Sequence, residues 1–257
     1  MAEPLLTDKI VLISGGTQGV GGGIARAAIA EGATVVVTGR RRDVGEAFAA
    51  TLGPAASFVA CDVADVDQAR AAVATTIERH GRVDALVNAA GLTSRGSLLD
   101  TTPELFDQHV AVNLRGPFFL MQAVVADMVR RGSPGTIVNV LTMSSHGGQA
   151  YLAPYSATKA GLAGLTRNAA HAHRWDRVRI NGINIGWTQT EGEDVVQREF
   201  HAADDTWLEQ AGASQPMGQL GQVDDMAALA VLLLSDRSGV VTGSVIDWDQ
   251  NVIGGMD

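Results

Sequence analysis

The stretch that most restricts this chain is "KIVLISGGTQGVGGGIARAAIAEG", residues 9–32, where a β-branched apolar run passes through a glycine-rich turn straight into an alanine-rich segment with helical spacing. The alternation continues along the chain. Strand-like runs recur at 33–38, 56–60, 83–88, 135–141, 178–185 and 243–248, and between them lie helical segments such as 67–81 and 118–132. Apolar runs that do not alternate with polar residues suit a parallel sheet covered on both faces, so the expected fold is a doubly wound α/β sandwich. Gly32, Gly81 and Gly132 stand where left-handed caps would close three helices.

With 257 residues, 46% of them hydrophobic, the chain can bury a large core, and no linker or composition shift divides it, so one domain spanning 1–257 is expected. The segment 188–215 differs: it is polar, carries Phe200 and Trp207, and reads as a helical excursion or lid. The longest apolar run, 226–234, is too short to span a bilayer, and the amino end has no sustained apolar core, so a soluble, cytoplasmic protein without membrane contact is expected. A net charge of −9 argues against nucleic-acid partners. The single cysteine, Cys61, excludes an internal disulfide and a cysteine-built metal cluster, and reads as a small buried hydrophobe. His171 and His173, two apart on a helix, face different sides and make a poor metal pair, so no metal is expected.

The spacing Gly15-x-x-x-Gly19-x-Gly21 lies directly after the first strand and directly before a helix. Such a turn brings backbone N–H groups to an anion, and the helix adds its positive end. The second strand ends in Arg40, Arg41 and Arg42 and has no carboxylate there. A cation at that place favours a dinucleotide with a 2′-phosphate, so NADP(H) is expected over NAD(H). A charge-assisted hydrogen bond from Arg40 would contribute about 1.5–3 kcal/mol, a tenfold to hundredfold preference. At the third strand end stands Asp62, placed to accept from an adenine amino group, and at the fourth Asn88, placed to tie that strand to its neighbours; each is equally a cap or turn residue.

Taken together, "SGGTQGVG", "NAAG" at 88–91, "VNLRGPF" with Asn113, "IVNVLTMSS", "YSATK" at 155–159 and "INIGWTQT" resemble the motifs of the short-chain dehydrogenase/reductase family, over nearly the whole chain. The resemblance implies a single Rossmann-type domain with a seven-stranded parallel sheet flanked by helices on both faces, and hydride transfer between a nicotinamide cofactor and a secondary alcohol or ketone as its small-molecule substrate. It implies cofactor contacts from Gly15, Thr17, Gln18, Gly19, Val20, Gly21, Arg40, Arg41, Asp62, Val63, Asn88, Ala89, Gly91, Tyr155, Lys159, Gly186, Thr188 and Thr190. It also implies a homotetramer built through helices near 104–131 and 154–175.

Tyr155 and Lys159 form an i,i+4 pair on one helix face. A free phenol, with a pKa of about 10, holds its proton too tightly to act as a base near neutrality. Lys159, joined by an oxidised nicotinamide, is expected to bring it down. The family places a serine thirteen residues before the tyrosine to hold the substrate oxygen; here that position is Thr142, with Ser144 and Ser145 close behind. Asn113 is expected to support a water chain from Lys159 and complete a catalytic set of Asn113, Thr142, Tyr155 and Lys159. Gln18 replaces a cation common in NADP-preferring members, and Ile185 replaces a proline, which predicts a less rigid loop after the sixth strand. Gly21-Gly22-Gly23 weakens the first helix turn without an assignable function. His146 reads as a substrate contact or a solvated loop residue, and Trp187, Phe200 and Trp207 as pocket lining or lid packing. Two alternatives stand beside the main reading: an NAD(H) enzyme with exposed arginines, and a catalytically weak NADP(H)-binding regulator.

Overall fold

A computed structural model describes residues 3–254 of the chain. The strands are β1 (Ile10–Ser14), β2 (Thr34–Gly39), β3 (Ala56–Ala60), β4 (Ala85–Asn88), β5 (Gly135–Thr142), β6 (Val178–Ile185), β7 (Thr188–Gln189), β8 (Gly221–Gln222) and β9 (Val245–Trp248). Seven of them form one sheet ordered β3-β2-β1-β4-β5-β6-β9, and β7 pairs with β8 apart from it. Every pairing in the large sheet is parallel. The order reverses between β1 and β4, which opens a crevice at their carboxyl ends.

The helices are α1 (Gly19–Ala30), α2 (Arg42–Thr51), α3 (Val66–His80), α4 (Pro103–Val110), α5 (Gly116–Arg131), α6 (Ala153–His173), α7 (Glu191–His201), α8 (Trp207–Ala213) and α9 (Val223–Leu234). Alternate strand residues feed two separate layers. Val11, Ile13, Val35, Val37, Val138 and Val140 pack with α1 and α9 on one face. Leu12, Val36, Leu86, Ile137 and Leu141 pack with α3, α5 and α6 on the other. Each such side chain contributes about 1.5–3 kcal/mol by leaving water. Gly32, Gly81 and Gly132 all have positive φ, as the expected caps require.

Three expectations change in detail. The triple glycine has a packing reason: a Cβ on Gly23 would run into Val223 Cγ1, and one on Gly22 would lie 3.3 Å from Phe48 Cζ, so the bare turn lets α1 approach α9 and α2. Ile185 belongs to the sixth strand itself and not to the loop after it. It extends β6, pairing with Thr142 of β5 and Trp248 of β9, because isoleucine, unlike proline, fits a strand with neighbours on both sides. The long helix expected over 104–131 is interrupted by a π turn at Ala111–Arg115.

The 188–215 segment is the helical excursion expected of it, formed by β7, α7 and α8. Trp207 is buried with Ala211 and Leu220 and donates to Asp194 Oδ1 at 2.7 Å, so it packs within this segment. Cys61 is a free buried thiol, pushed up to about 11 by burial first and then by Asp62 and Asp65. Among the described residues no helix is long and apolar enough to cross a membrane, and no cluster of side chains could hold a metal ion. His173 pairs instead with Asp176 at 2.8 Å.

Candidate active site

The chain leaves β1 through Gly15, at φ 70°, and reaches α1 through Gly19, at φ 51°. Both angles lie in the region that favours glycine. A Cβ on Gly15 would stand 2.5 Å from Ala90 N, and one on Gly21 would meet the carbonyl oxygen of Gly15. The turn therefore presses its backbone against the end of β4, where Ala89 N donates to Ser14 O at 2.9 Å. On the other side, a Cβ on Gly19 would lie 4.0 Å from Thr190 Cγ2, so the 188–190 segment faces the turn. The free N–H groups at the start of α1 open into this cradle. Asn88 donates to Asn139 Oδ1 at 2.8 Å, tying β4 to β5 as expected, and its own buried Oδ1 has no partner. A bare-backbone cradle at a helix start suits the pyrophosphate of a dinucleotide, and these residues fit such a group.

The basic end of β2 divides its labour. Arg41 donates to Gln18 Oε1 at 2.8 Å, and Arg42 pairs with Glu46 at 3.2 Å. Arg40 is exposed and, among the described residues, makes no side-chain hydrogen bond or ion pair. Thr17 packs against the end of β2, its Oγ1 3.3 Å from where a Gly39 Cβ would be, and Val20 joins the core beneath. Asp62 folds into a turn, its Oδ1 accepting from Ala64 N at 3.0 Å. Val63 is buried, and a Cβ on Gly116 would lie 2.5 Å from its Cγ2, so its side chain faces α5 and only its backbone borders the crevice. Gly186 is hemmed in by Asp249, Thr188 Oγ1 donates to Gly186 O at 3.0 Å, and Thr190 caps α7 by accepting from Glu193 N at 3.0 Å.

Thr142, Tyr155 and Lys159 gather at the end of β5. Thr142, its last residue, faces the Tyr155 phenol, whose proton affinity it lowers, and accepts from Ser144 N at 3.2 Å. Ser144 Oγ donates instead to Gln149 Oε1 at 3.4 Å, and Ser145 Oγ to Asn184 Oδ1 at 3.1 Å. The serines are turned elsewhere, and the threonine is the hydroxyl that meets the tyrosine. Lys159 is buried, with Nζ 5.9 Å from the Tyr155 ring centroid and donating to Val140 O at 2.8 Å. A Cβ on Gly91 would lie 3.8 Å from Asn113 Oδ1 and 3.9 Å from Lys159 Nζ, so that glycine marks where the two groups approach each other.

In the protein alone both proton affinities are set chiefly by burial. Burial pushes Tyr155 up to about 12, outweighing the downward pull of the Thr142 hydroxyl, and Glu193 pushes it further. The same burial brings Lys159 down to about 8. The lysine is itself desolvated, so on its own it does not bring the phenol toward neutrality. Asn113 is buried within the π turn. Its Oδ1 accepts from Leu92 N at 2.8 Å and its Nδ2 donates to Leu92 O at 3.0 Å, which clamps both backbone groups of one residue in the loop after β4.

Several neighbours were not singled out from sequence. His109, fully buried, sits edge-on to Tyr155 with ring centroids 6.4 Å apart. Its spacing of four residues before Asn113 is the signal that could have found it. Glu193 Oε1 accepts from Trp187 Nε1 and Gln197 Nε2, both at 2.7 Å. The pattern Thr190-x-x-Glu193, a helix-start signature, announces its place. Arg95 lies between the Tyr151 and Phe200 rings, 4.9 and 5.1 Å from their centroids, and meets His201 Nε2 at 3.2 Å. It clasps α7 to the loops after β4 and β5. His146 is not a lone loop residue, since Asp247 Oδ1 lies 3.0 Å and Asn184 Nδ2 3.1 Å from its Nε2. A hollow of about 510 Å³ between the lid and the start of α9 is lined by Thr190, Asp194, Arg198, Trp207 and Val223 and contains none of the residues around Tyr155.

A crevice at the reversal of a parallel sheet, a glycine cradle on one side and a tyrosine with a buried lysine on the other define a nucleotide-dependent oxidoreductase. A family model described as enoyl-(acyl carrier protein) reductase matches residues 15–252. Sorbitol dehydrogenase of Cereibacter sphaeroides is 32% identical over 95% of this chain and 97% of its own. L-rhamnose 1-dehydrogenase (NAD(P)(+)) of Azotobacter vinelandii is 35% identical over 93% of this chain and 94% of its own. The crystal structure of gox2181 superposes with a TM-score of 0.86 at 28% identity, covering 95% of both chains. The chain belongs to the short-chain dehydrogenase/reductase family. It is an NAD(P)-dependent oxidoreductase acting on alcohol and carbonyl groups.

Proposed function

We propose that this enzyme interconverts a secondary alcohol and its ketone with NADP(H), and that Tyr155 is the acid and base. The observation that carries the proposal is the meeting of Thr142, Tyr155 and Lys159 at the end of β5, beside the glycine cradle. A bound nicotinamide dinucleotide supplies the hydride and, when oxidised, a positive charge that favours the phenolate. Tyr155, protonated near neutral pH because burial holds it at about 12, gives its proton to the carbonyl oxygen in reduction. Thr142 holds that oxygen through its hydroxyl. Lys159 stays charged below about pH 8 and steadies the phenolate left behind. Asn113 fixes the loop after β4. Arg40 receives the 2′-phosphate, Gly15, Thr17, Gln18, Gly19, Val20 and Gly21 the pyrophosphate, Asp62, Val63, Asn88, Ala89 and Gly91 the adenosine side and floor, and Gly186, Thr188 and Thr190 the nicotinamide end.

The substrate class we infer is a polyol or sugar. Relatives are named for sorbitol, L-rhamnose and galactitol. In this chain the surroundings of Tyr155 include Glu193, whose carboxylate is suited to accept from substrate hydroxyls. We further propose one domain spanning the chain and a homotetramer, which light scattering on the purified protein would check.

The test is turnover of a panel of polyols, sugars and apolar ketones with each nicotinamide cofactor. Tyr155→Phe should bind NADPH as before and lose about 10²–10⁴-fold in turnover, the usual share of a general acid. Normal turnover by that variant would end the proposal.

A further inference from the structure

His109 takes no part in proton transfer, yet its ring completes the support of the groups that do. Its Nε2 lies 3.1 Å from Ser94 O, and its Nδ1 lies 3.2 Å from Asn113 Nδ2. A carbonyl can only accept, so Nε2 carries a proton, and an amide nitrogen can only donate, so Nδ1 must be bare. Only the neutral Nε2–H form satisfies both contacts. Turning the Asn113 amide over would not relieve a protonated Nδ1 without loss, because the turn breaks both hydrogen bonds to Leu92.

The support continues to the tyrosine. Asn113 Nδ2 has two hydrogens, so the one not given to Leu92 O is shared between His109 Nδ1 and Thr158 Oγ1, each 3.2 Å away, and the Thr158 hydroxyl lies 2.9 Å from both Tyr155 O and Pro154 O. A chain of polar contacts thus runs from Ser94 through His109, Asn113 and Thr158 to the backbone of Tyr155, whose ring the imidazole meets edge-on. Among the described residues the titratable side chain that meets His109 is Tyr155 of α6; the loop after β4 offers the Ser94 carbonyl, and its own helical rod offers the neutral Asn113. Burial lowers its proton affinity below the ordinary 6.5, the Ser94 carbonyl opposing in part.

We propose that His109 is a positioning residue that works only as a neutral imidazole: a proton on Nδ1 unseats Asn113 and the loop after β4, and turnover falls with it. This rests on the function proposed above in so far as turnover is read. Two arms test it. Imidazole nitrogen shifts of the cofactor-free protein, assigned with His109→Gln, should show the Nε2–H form and no protonation until pH falls below 6.5. The pH profile of kcat should have an acid limb in the same range. Glutamine cannot take up the proton, so His109→Gln should lose that limb, with kcat at neutral pH lower by about twofold to tenfold, the effect of one neutral hydrogen bond. A ring protonated on Nδ1 at neutral pH, or an acid limb unchanged in His109→Gln, overturns the proposal. The nitrogen shifts need no substrate, so an inactive protein defeats the functional reading alone, and a variant that fails to fold leaves the wild-type tautomer to decide.

Discussion

Arg41 donates to Gln18 across 2.8 Å and so fastens the basic end of β2 to the glycine turn. The glutamine that stands in place of a cation thus orients one next to Arg40. Arg40→Ala should weaken NADPH binding by about tenfold to hundredfold and leave NADH within about threefold, as the loss of one charge-assisted hydrogen bond to a 2′-phosphate would. Gln18→Ala should weaken NADPH less. Energy transfer from the four tryptophans reads both constants, and equal weakening of NADH and NADPH would remove the arginines from cofactor choice.

Thr142 meets the Tyr155 phenol while the Ser144 and Ser145 hydroxyls are engaged elsewhere. Steady-state rates should therefore hold or rise in Thr142→Ser and drop by at least about tenfold in Thr142→Val, which keeps the shape and removes the donor. Ser144→Ala should match the wild type. The opposite ranking would move the role to Ser144.

Burial lowers Lys159 from 10.5 to about 8, so the ammonium is present below that pH and disappears above it. Dinucleotide affinity should fall as pH rises through about 8, up to tenfold or more if one charged hydrogen bond is lost. Lys159→Gln should bind weakly and without this slope. A wild-type affinity flat across that range would show that the lysine charge contributes nothing to cofactor capture.

The clasp of Arg95 between Tyr151 and Phe200 sets how firmly the lid is held. Each cation–π contact at a half-exposed site contributes about 0.5–1 kcal/mol. Arg95→Ala should speed proteolytic cleavage within 188–215 by several fold, and Arg95→Lys by less, while cleavage elsewhere stays the same. Identical digestion patterns would show that the lid is anchored by other contacts.

Away from the site, the buried carboxylate of Asp127 meets Arg130 at 2.5 Å and Arg131 at 2.8 Å. Burial pushes it up, but the two arginines and Val83 N together leave it below the ordinary 3.8. A carboxylate lowered in the folded state adds stability that is present above 3.8 and lost as pH falls through the folded value. Asp127→Ala should cost about 3–5 kcal/mol in urea unfolding, since it strands buried charge. Its stability should also depend less on pH on the acid side than the wild type's does.

What was legible in the sequence is what local chemistry dictates. The strands, the αL caps and the cradle follow from β-branched runs and from glycines that no other residue could replace at Gly15 and Gly21. Thr142 emerged from counting back from Tyr155. Proton affinities did not, because Tyr155 and Lys159 owe theirs to burial by residues distant in sequence. His109 and Arg95 were missed for a related reason. Their partners Ser94, Tyr151 and Phe200 come from the loop after β4, the loop after β5 and α7, and nothing in a histidine or an arginine alone indicates what will face it. Which of two parts Trp207 takes, and that Ile185 ends a strand paired on both sides, depend on packing against elements distant in sequence.

A π turn is what remains when one residue is inserted into an α-helix. The turn at 111–115 therefore sets a phase between two halves of a single rod: α4 carries His109, α5 packs on the sheet, and Asn113 occupies the seam. Removing one residue there would let the hydrogen-bond ladder run on unbroken, and about 100° of rotation, one residue's share of a helical turn, would separate the two halves from their present partners. Beyond the demand for Asn113 itself, the turn should thus accept almost no change of length, so a deletion scan would single it out even where substitutions at its exposed positions pass unnoticed.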